Sequence, residues 1–400
     1  MSARWFRKKE KRKMAKRLET RSNYDVIVVG AGPGGASAAR RCAENGLRVA
    51  LLEKCRRPGM KVCAGGLDIR ILREFDIDDS VIQCHTKKHV LYAPSKKRSM
   101  TEETESAVVY RKDFDQYLAD RAVDAGVTLL TSSRCIGVLR EGNQVMGVTA
   151  ETLGGPKKLL AKIVIAADGF HSITAGSAGL QPHYEPSDIG LAIQCETYVK
   201  RESEVISDTK HFFYGSDVSP CGFGWIYPKR HGYNVGLGSL LSHVKEGRLK
   251  RNLQYLIYEH PIASGILSNM TWKSDIQAAC LPLRLSPKMC DDGILVVGDA
   301  AGQVGPLGGN GIYYAMQAGA LAGKVSTEAL AEGDVSAIRL REYEESFLRK
   351  FGNTLRAQRR MLDVVKRNYN LYIETRIFVD NHSMINRIYD AARSLAGHLF

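Results

Sequence analysis

The sequence predicts an α/β protein: a doubly wound, Rossmann-like domain that carries an inserted, mostly antiparallel β-sheet domain and ends in a helical C-terminal region. Three observations predict it. A short apolar run at 24–29 (YDVIVV) passes directly into a glycine-rich turn and then a helix-forming stretch, the order expected of a parallel βαβ unit. Two more short apolar runs, 163–166 (IVIA) and 294–297 (ILVV), each end at an Asp-Gly or Gly-Asp pair, as strands of a doubly wound sheet do where they present residues to a ligand. Between them, residues of about 185 to 282 alternate polar and apolar (IGLAIQCETYV, YNVGLGSL), which favours an antiparallel sheet with two unlike faces.

Taken in order, the apolar, β-branched run 24–29 reads as a buried parallel strand. Residues 36–45 are good helix formers and stop at Gly46, a helix C-terminal glycine. The second strand is 48–52 (RVALL), ending at Glu53. Runs 163–166 and 294–297 are expected as central parallel strands of the same layer, and the pattern after Leu330 is helical. The domain organisation expected is therefore a basic tail over 1–22, a first nucleotide-binding part over 23–184, the antiparallel substrate domain over 185–285, a return segment over 286–330 and a helical region over 331–400.

Composition narrows the class. Hydrophobic residues at 44% and charged residues at 25% are ordinary for a globular chain, and no apolar stretch reaches the 18 residues of a membrane-spanning helix. No apolar segment follows the basic start as in a secretory signal, so a cytoplasmic location is expected, with any membrane contact peripheral on the cytoplasmic face. The net charge is +14, and the first 21 residues hold ten Lys/Arg against two Glu. Trp5 and Phe6 beside that run read as an anchor for an anionic lipid surface; a solvated, disordered extension is the alternative, and nucleic acid is not the expected partner. Nine cysteines without CxxC pairs fit free thiols in a reducing compartment, and neither a metal site nor an iron–sulfur cluster is expected.

The chemistry is carried first by Gly30-Ala-Gly32-Pro-Gly34-Gly35 between the first strand and helix. In such a G-x-G-x-x-G, the first glycine permits the tight turn, the second lets backbone approach a pyrophosphate, and the last lets helix and strand pack closely. Glu53, 18 residues past Gly35, is placed to accept hydrogen bonds from ribose hydroxyls.

Two later segments make the pattern resemble the FAD-binding fold of the para-hydroxybenzoate hydroxylase type: Ala167-Asp168-Gly169, and Gly298-Asp299-Ala300-Ala301 followed by Pro306 and Gly308-Gly309-Asn310-Gly311-Ile312. The resemblance implies FAD as cofactor, with Asp299 on the ribityl chain, Gly311 and Ile312 bringing a helix start to the isoalloxazine, and Arg111 beside the flavin. Cys135 belongs to the same implied cofactor set.

A second group of motifs resembles the geranylgeranyl reductases within that fold. Phe223-Gly-Trp225-Ile-Tyr227-Pro228, followed after seven residues by Gly236-Leu-Gly238, matches their substrate-cavity signature, and Cys63-Ala64-Gly65-Gly66-Leu67 matches their segment against the flavin. Alternate strand residues share one face, so Phe223, Trp225 and Tyr227 can build an aromatic wall for a prenyl chain. The resemblance implies an FAD-dependent reductase of isoprenoid double bonds, acting on geranylgeranyl chains of archaeal-type membrane lipids, with Pro228, Gly236 and Gly238 also at the substrate and Cys63 and Tyr227 as candidates for the proton side. Departures are Gly305-Pro306, where relatives often have Asp-Pro, and Tyr227 in place of Phe. Within the same fold the alternatives are a flavin-dependent monooxygenase or halogenase; outside it in chemistry, a membrane-associated electron-transfer flavoprotein acting on a quinone. No second G-x-G-x-x-G is present for NADPH, which leaves ferredoxin, a deazaflavin or transiently bound NADPH as the electron donor.

Overall fold

Strand β1 (Tyr24–Val29) has parallel neighbours on both sides, β2 (Val49–Leu52) and β9 (Gly155–Ala166), with Val26 opposite both Val49 and Ile163. A strand flanked in this way has no solvated edge, and the layers above and below cover both faces, which is why its sequence is continuously apolar. The computed structural model describes residues 23–199, 207–272 and 275–377, so the expected basic tail of 1–22 lies outside the described residues.

The first sheet runs in the order β16 (Cys290–Asp291), β17 (Ile294–Val296), β9, β1, β2, β6 (Thr128–Leu130). A hairpin-linked pair, β7 (Arg134–Glu141) and β8 (Gln144–Thr152), is attached to the first half of β9. Both expected return strands form here: 163–166 closes β9 against β1, whereas β17 stops at Val296 and lies one strand from the edge rather than at the centre. Helix α1 (Pro33–Glu44) begins three residues before the expected Ala36, because Pro33 suits a first turn where its missing N–H has no partner to lose.

The second sheet follows the order β14 (Met270–Trp272), β10 (Ile189–Val199), β13 (Gly232–Leu240), β12 (Gly222–Lys229), β11 (Thr209–Phe213), β4 (Ile82–Tyr92), β5 (Ser99–Val109), β3 (Gly66–Asp68), with β15 (Gln277–Pro282) also on β10. All pairings are antiparallel except β11 with β4, where Thr209 faces Lys88. The expected boundaries need correcting at this point. Three strands of this sheet come from 66–109, so the stretch 23–184 feeds both sheets, and hydrogen bonds between β4 and β11 cross about 120 residues of sequence.

Helix α3 (Arg111–Asp124) follows β5 directly. The return to the first sheet ends in α7 (Ile312–Glu332), a 21-residue helix that runs through the expected boundary at 330 and stops at Gly333 in a left-handed conformation, φ +69°. It packs on α1 almost backbone to backbone: a Cβ at Gly319 would lie 2.1 Å from the Gly34 carbonyl oxygen. Next come α8 (Ala337–Phe347), a π-helical turn over Leu348–Gly352, α9 (Asn353–Val365) and α10 (Tyr369–Tyr372). From α9 onward, Leu362, Val365, Tyr369 and Ile373 pack against Leu91, Tyr214, Leu240 and Leu283 of the second-sheet domain. No described helix is long and apolar enough to cross a membrane, and all nine cysteines are free.

A Cβ on Gly35 would sit 1.9 Å from the Gly30 carbonyl oxygen, whereas one on Gly265 would meet nothing within 4 Å. Gly35→Ala is therefore expected to destabilise the protein by about 3 kcal/mol, through overpacking against immovable backbone, and Gly265→Ala to change stability little. Urea unfolding midpoints of the two variants check this; equal midpoints would show that the turn has slack.

Candidate functional site

A cleft of about 680 Å³ opens at the carboxyl ends of β1, β2, β9 and β17. Gly30, at φ +102°, makes the turn against the end of β9, where a Cβ would approach the Ala167 carbonyl oxygen to 2.4 Å. Gly32 caps α1 with open space beside it, and Gly34 also borders the cleft, while Gly35 serves the packing behind it. The Glu53 carboxylate is oriented by two backbone donors, the N–H of Ala31 (3.1 Å) and of Cys55 (2.9 Å), and its remaining lone pairs are available to the cleft it lines. Cys135 lies in the same wall, its thiol 3.7 Å from the Gly137 carbonyl. Asp168 borders the cleft too, but its carboxylate caps the short helix α4 (Ile173–Ser177) by accepting from the Thr174 N–H (3.0 Å) and hydroxyl (2.9 Å) and from Ser172.

Where the cleft meets a second cavity, Pro33, Lys61, Arg111, Leu191, Asp299 and Ala315 line both. Arg111 is buried in a two-point ion pair with Asp115, 2.7 Å for each bond, one helical turn along α3. Burial works against its charge, but Asp115 and the Cys63 sulfur outweigh that and raise its pKa above the ordinary arginine value. Asp299, in the turn after β17, pairs with Lys61 at 2.5 Å. Gly311 and Ile312 open α7, whose long run of aligned peptides directs a positive helix end at this junction. At Gly305, where the expected aspartate is absent, the Asn310 side-chain oxygen stands 2.1 Å from where a Cβ would be.

The second cavity, about 270 Å³, is walled on one side by Phe223, Trp225 and Tyr227 of β12. The glycines explain how these rings fit. Trp225 lies opposite Gly236 and Phe223 opposite Gly238, and a Cβ on Gly236 would come within 2.3 Å of the indole. The Tyr227 ring is packed on Gly66, 2.9 Å from where a Cβ would be. Of the expected substrate residues, Gly238 lines the cavity, Gly236 lies beneath the indole, and Pro228 falls outside the lining, in the strand alternation that also buries Ile226. Cys63 and Ala64 line the cavity near Arg111, with the Gly65 N–H directed at the Cys63 sulfur (3.4 Å).

Several residues invisible to sequence reasoning complete the site. The Trp225 indole N–H donates to Asn234 (2.7 Å), whose amide donates to Glu196 (2.8 Å), which also accepts from Lys229 (2.8 Å). Lys229 sits 4.0 Å over the ring of Tyr110, beside Arg111. Gln194 lines the cavity with one amide oxygen buried and without a partner among the described residues, its nitrogen reaching the Cys63 carbonyl at 3.4 Å. Behind Tyr227 lies Lys210, fully buried, donating to Ser106 (3.0 Å) and the Ala107 carbonyl (3.3 Å), 5.1 Å from the tyrosine ring centre. Among the described residues no carboxylate forms an ion pair with it, and burial pushes its pKa down to about 7 despite Cys84 and Asp68 nearby. Burial raises the Tyr227 hydroxyl well above its ordinary value, so it stays protonated as a phenol. A buried lysine or asparagine has no periodicity to mark it, and only the cross-strand neighbours reveal these roles.

A dinucleotide with an electron-poor ring fits this arrangement: open backbone at Gly32, an oriented carboxylate at Glu53, a positive helix end at the junction, and an unpartnered amide oxygen at Gln194. Comparison with known proteins agrees. Residues 23–350 match the FAD binding domain family. The chain is 37% identical over 338 residues to the digeranylgeranylglycerophospholipid reductase of Methanocaldococcus jannaschii, covering 82% of this chain and 83% of that one. It is 34% identical over 339 residues to digeranylgeranylglycerophospholipid reductase 2 of Methanopyrus kandleri, with 83% and 84% covered. Among solved structures, a geranylgeranyl bacteriochlorophyll reductase-like protein from Thermoplasma acidophilum superposes with a TM-score of 0.84 at 30% identity, over 92% of this chain and 95% of that one. A flavin-dependent brominase shares the fold at a TM-score of 0.76 and 18% identity, over 92% and 93% of the two chains.

Two outcomes follow from the geometry. Gly32→Ala places a methyl group in open space within the cleft, so the melting temperature of the flavin-free protein should hold while bound flavin, read from the visible spectrum, falls. For Lys210, neutral in the fold above about 7 and charged in the unfolded chain up to its usual 10.5, the destabilisation is complete below pH 7 and fades as pH rises toward 10. Lys210→Met should therefore melt higher than the parent at pH 6.5, by a margin that shrinks at pH 9.5; a constant margin would mean the lysine is not held neutral.

Proposed function

Because the chain belongs to the digeranylgeranylglycerophospholipid reductase family of FAD-binding proteins, we propose that it is an FAD-dependent reductase of isoprenoid carbon–carbon double bonds, acting on the geranylgeranyl chains of archaeal-type membrane lipids. The observation that carries this reading is the aromatic cavity opening directly onto the cofactor cleft through residues common to both. Bound in the cleft, FAD supplies the hydride that such a reduction needs.

The chain's own residues then divide the work. Gly30, Gly32 and the start of α1 hold a pyrophosphate, Glu53 the ribose hydroxyls, Asp299 the ribityl chain, and the N-terminus of α7 the electron-rich side of the ring. Arg111, locked by Asp115, braces the Cys63 segment against the ring position. Phe223, Trp225 and Tyr227 orient the alkene and keep water out, which raises the effective concentration of the reacting groups. Each reduced double bond also takes up one proton, for which Tyr227, kept a phenol by burial, and Cys63 are the candidate sources, at Oη and Sγ. Reduction draws on an external donor of electrons, for which ferredoxin, a deazaflavin and NADPH are the candidates. The basic segment 1–21 would keep the protein at an anionic membrane surface where its substrate resides.

The direct test is mass spectrometry of an unsaturated prenyl lipid incubated with the dithionite-reduced holoprotein. Gain of two hydrogens per double bond is expected; an unaltered lipid accompanied by stoichiometric oxygen consumption with an aromatic substrate would instead favour monooxygenase or halogenase chemistry. Trp225→Ala should retain FAD and lose about 3 kcal/mol of stability as a buried ring is removed. Its KM should rise more for a long prenyl lipid than for a short analogue, and an unchanged chain-length profile would return Trp225 to a purely structural part.

A further inference from the structure

The C-terminal helices close one side of the cavity and turn another side outward. Leu355, Leu362 and Val365 of α9 are buried, and Leu362 reaches the cavity itself. Across the helix, Arg356, Arg360 and Val364 form an exposed stripe at spacings of four residues, and Arg367, in the turn after the helix, and Leu371 of α10 are exposed beyond its end. Val364 is 56% and Leu371 64% exposed, large apolar side chains standing in water between arginines.

The charge on this face is uncompensated. Over 353–372 there are five basic residues and one acid, Asp363, which already pairs with Lys366 (2.7 Å) and Arg359 (3.6 Å). Arg360 and Arg367 have no ion-pair partner among the described residues, and Arg356 bonds only the neutral side chain of Asn353, at 2.9 Å.

We propose that the outer face of α9 and α10 is a membrane-docking surface for anionic lipid, with Arg356, Arg360 and Arg367 at the headgroup phosphates and Val364 and Leu371 inserted beneath them. Unpaired arginines beside exposed aliphatic side chains suit contact with anionic headgroups and the acyl region just beneath them. Its position adds the second argument: the same helix supplies Leu362 to the cavity, so docking here sets the prenyl site one helix diameter from the bilayer. The surface is separate from the basic segment 1–21, and the proposal rests on the reading of a lipid substrate, although its test does not depend on turnover.

The test is co-sedimentation of the full-length holoprotein with vesicles of phosphatidylglycerol and phosphatidylcholine, and with phosphatidylcholine alone. Arg360→Gln with Arg367→Gln, and separately Val364→Ser with Leu371→Ser, should each weaken partitioning onto the anionic vesicles by about tenfold, with flavin spectrum and melting temperature unchanged. Lys157→Gln with Lys158→Gln, an equal loss of exposed charge on β9, should have little effect. Binding that matches the parent in the α9 variants overturns the proposal, as does an equal loss in the Lys157 and Lys158 control. So would intact vesicle binding with slowed reduction by an acidic electron-carrier protein, which would assign the face to the donor. A variant with the basic residues of 1–21 replaced by serine separates the two surfaces: if it alone loses binding, the tail anchors the protein and α9 does not.

Discussion

The site is built on places where backbone meets backbone because a side chain is missing. Gly35 lies against the carbonyl of Gly30, and Gly319 against the carbonyl of Gly34, so the first strand, its helix and α7 converge more tightly than any Cβ would permit. That convergence brings the positive ends of α1 and α7 to the same cleft, and it leaves Gly32 open to a ligand. The same device recurs on the substrate side, where Gly236 and Gly66 create the room that the Trp225 and Tyr227 rings fill. Cofactor cleft and cavity are thus shaped by one constraint, the exclusion of methyl groups at a few backbone crossings.

Around these crossings the interior holds more charge than its packing requires. Arg111 with Asp115, Lys229 with the part-exposed Glu196, and Lys210 with hydroxyl and carbonyl partners lie near the cavity. Buried ions are poor sources of stability, because the loss of hydration offsets most of the attraction. Their positions show what they do instead. Arg111 lines the cavity with Cys63, Lys229 covers the ring of Tyr110, and the chain of hydrogen bonds from Glu196 through Asn234 fixes the orientation of the Trp225 indole. Stability is given up for a rigid wall, an exchange typical of functional sites.

The helical C-terminal region belongs to this picture rather than being an appendage. It completes the cavity with Leu362, packs Val365 and Tyr369 on the second-sheet domain, and carries its unpaired arginines on the opposite side. Fold likeness to a brominase shows that the scaffold is shared among chemistries, so what distinguishes this protein is the lining of the cavity and not the sheets.

Local chemistry was legible in the sequence. The βαβ unit, the roles open to Gly30, Gly32 and Glu53, and the aromatic alternation of 223, 225 and 227 all follow from short-range periodicity and from turns that only certain residues can make. Tertiary structure alone decided that strands from 66–109 join the second sheet, that Gly236 is a floor for the Trp225 indole, and that Lys210, Gln194 and Asn234 stand at the site. The physical reason is range. A turn or an amphipathic strand is specified by neighbours a few residues apart, while the pairing of β11 with β4 and the approach of Tyr227 to Gly66 join segments more than 100 residues apart, where only the packed fold determines which side chains meet.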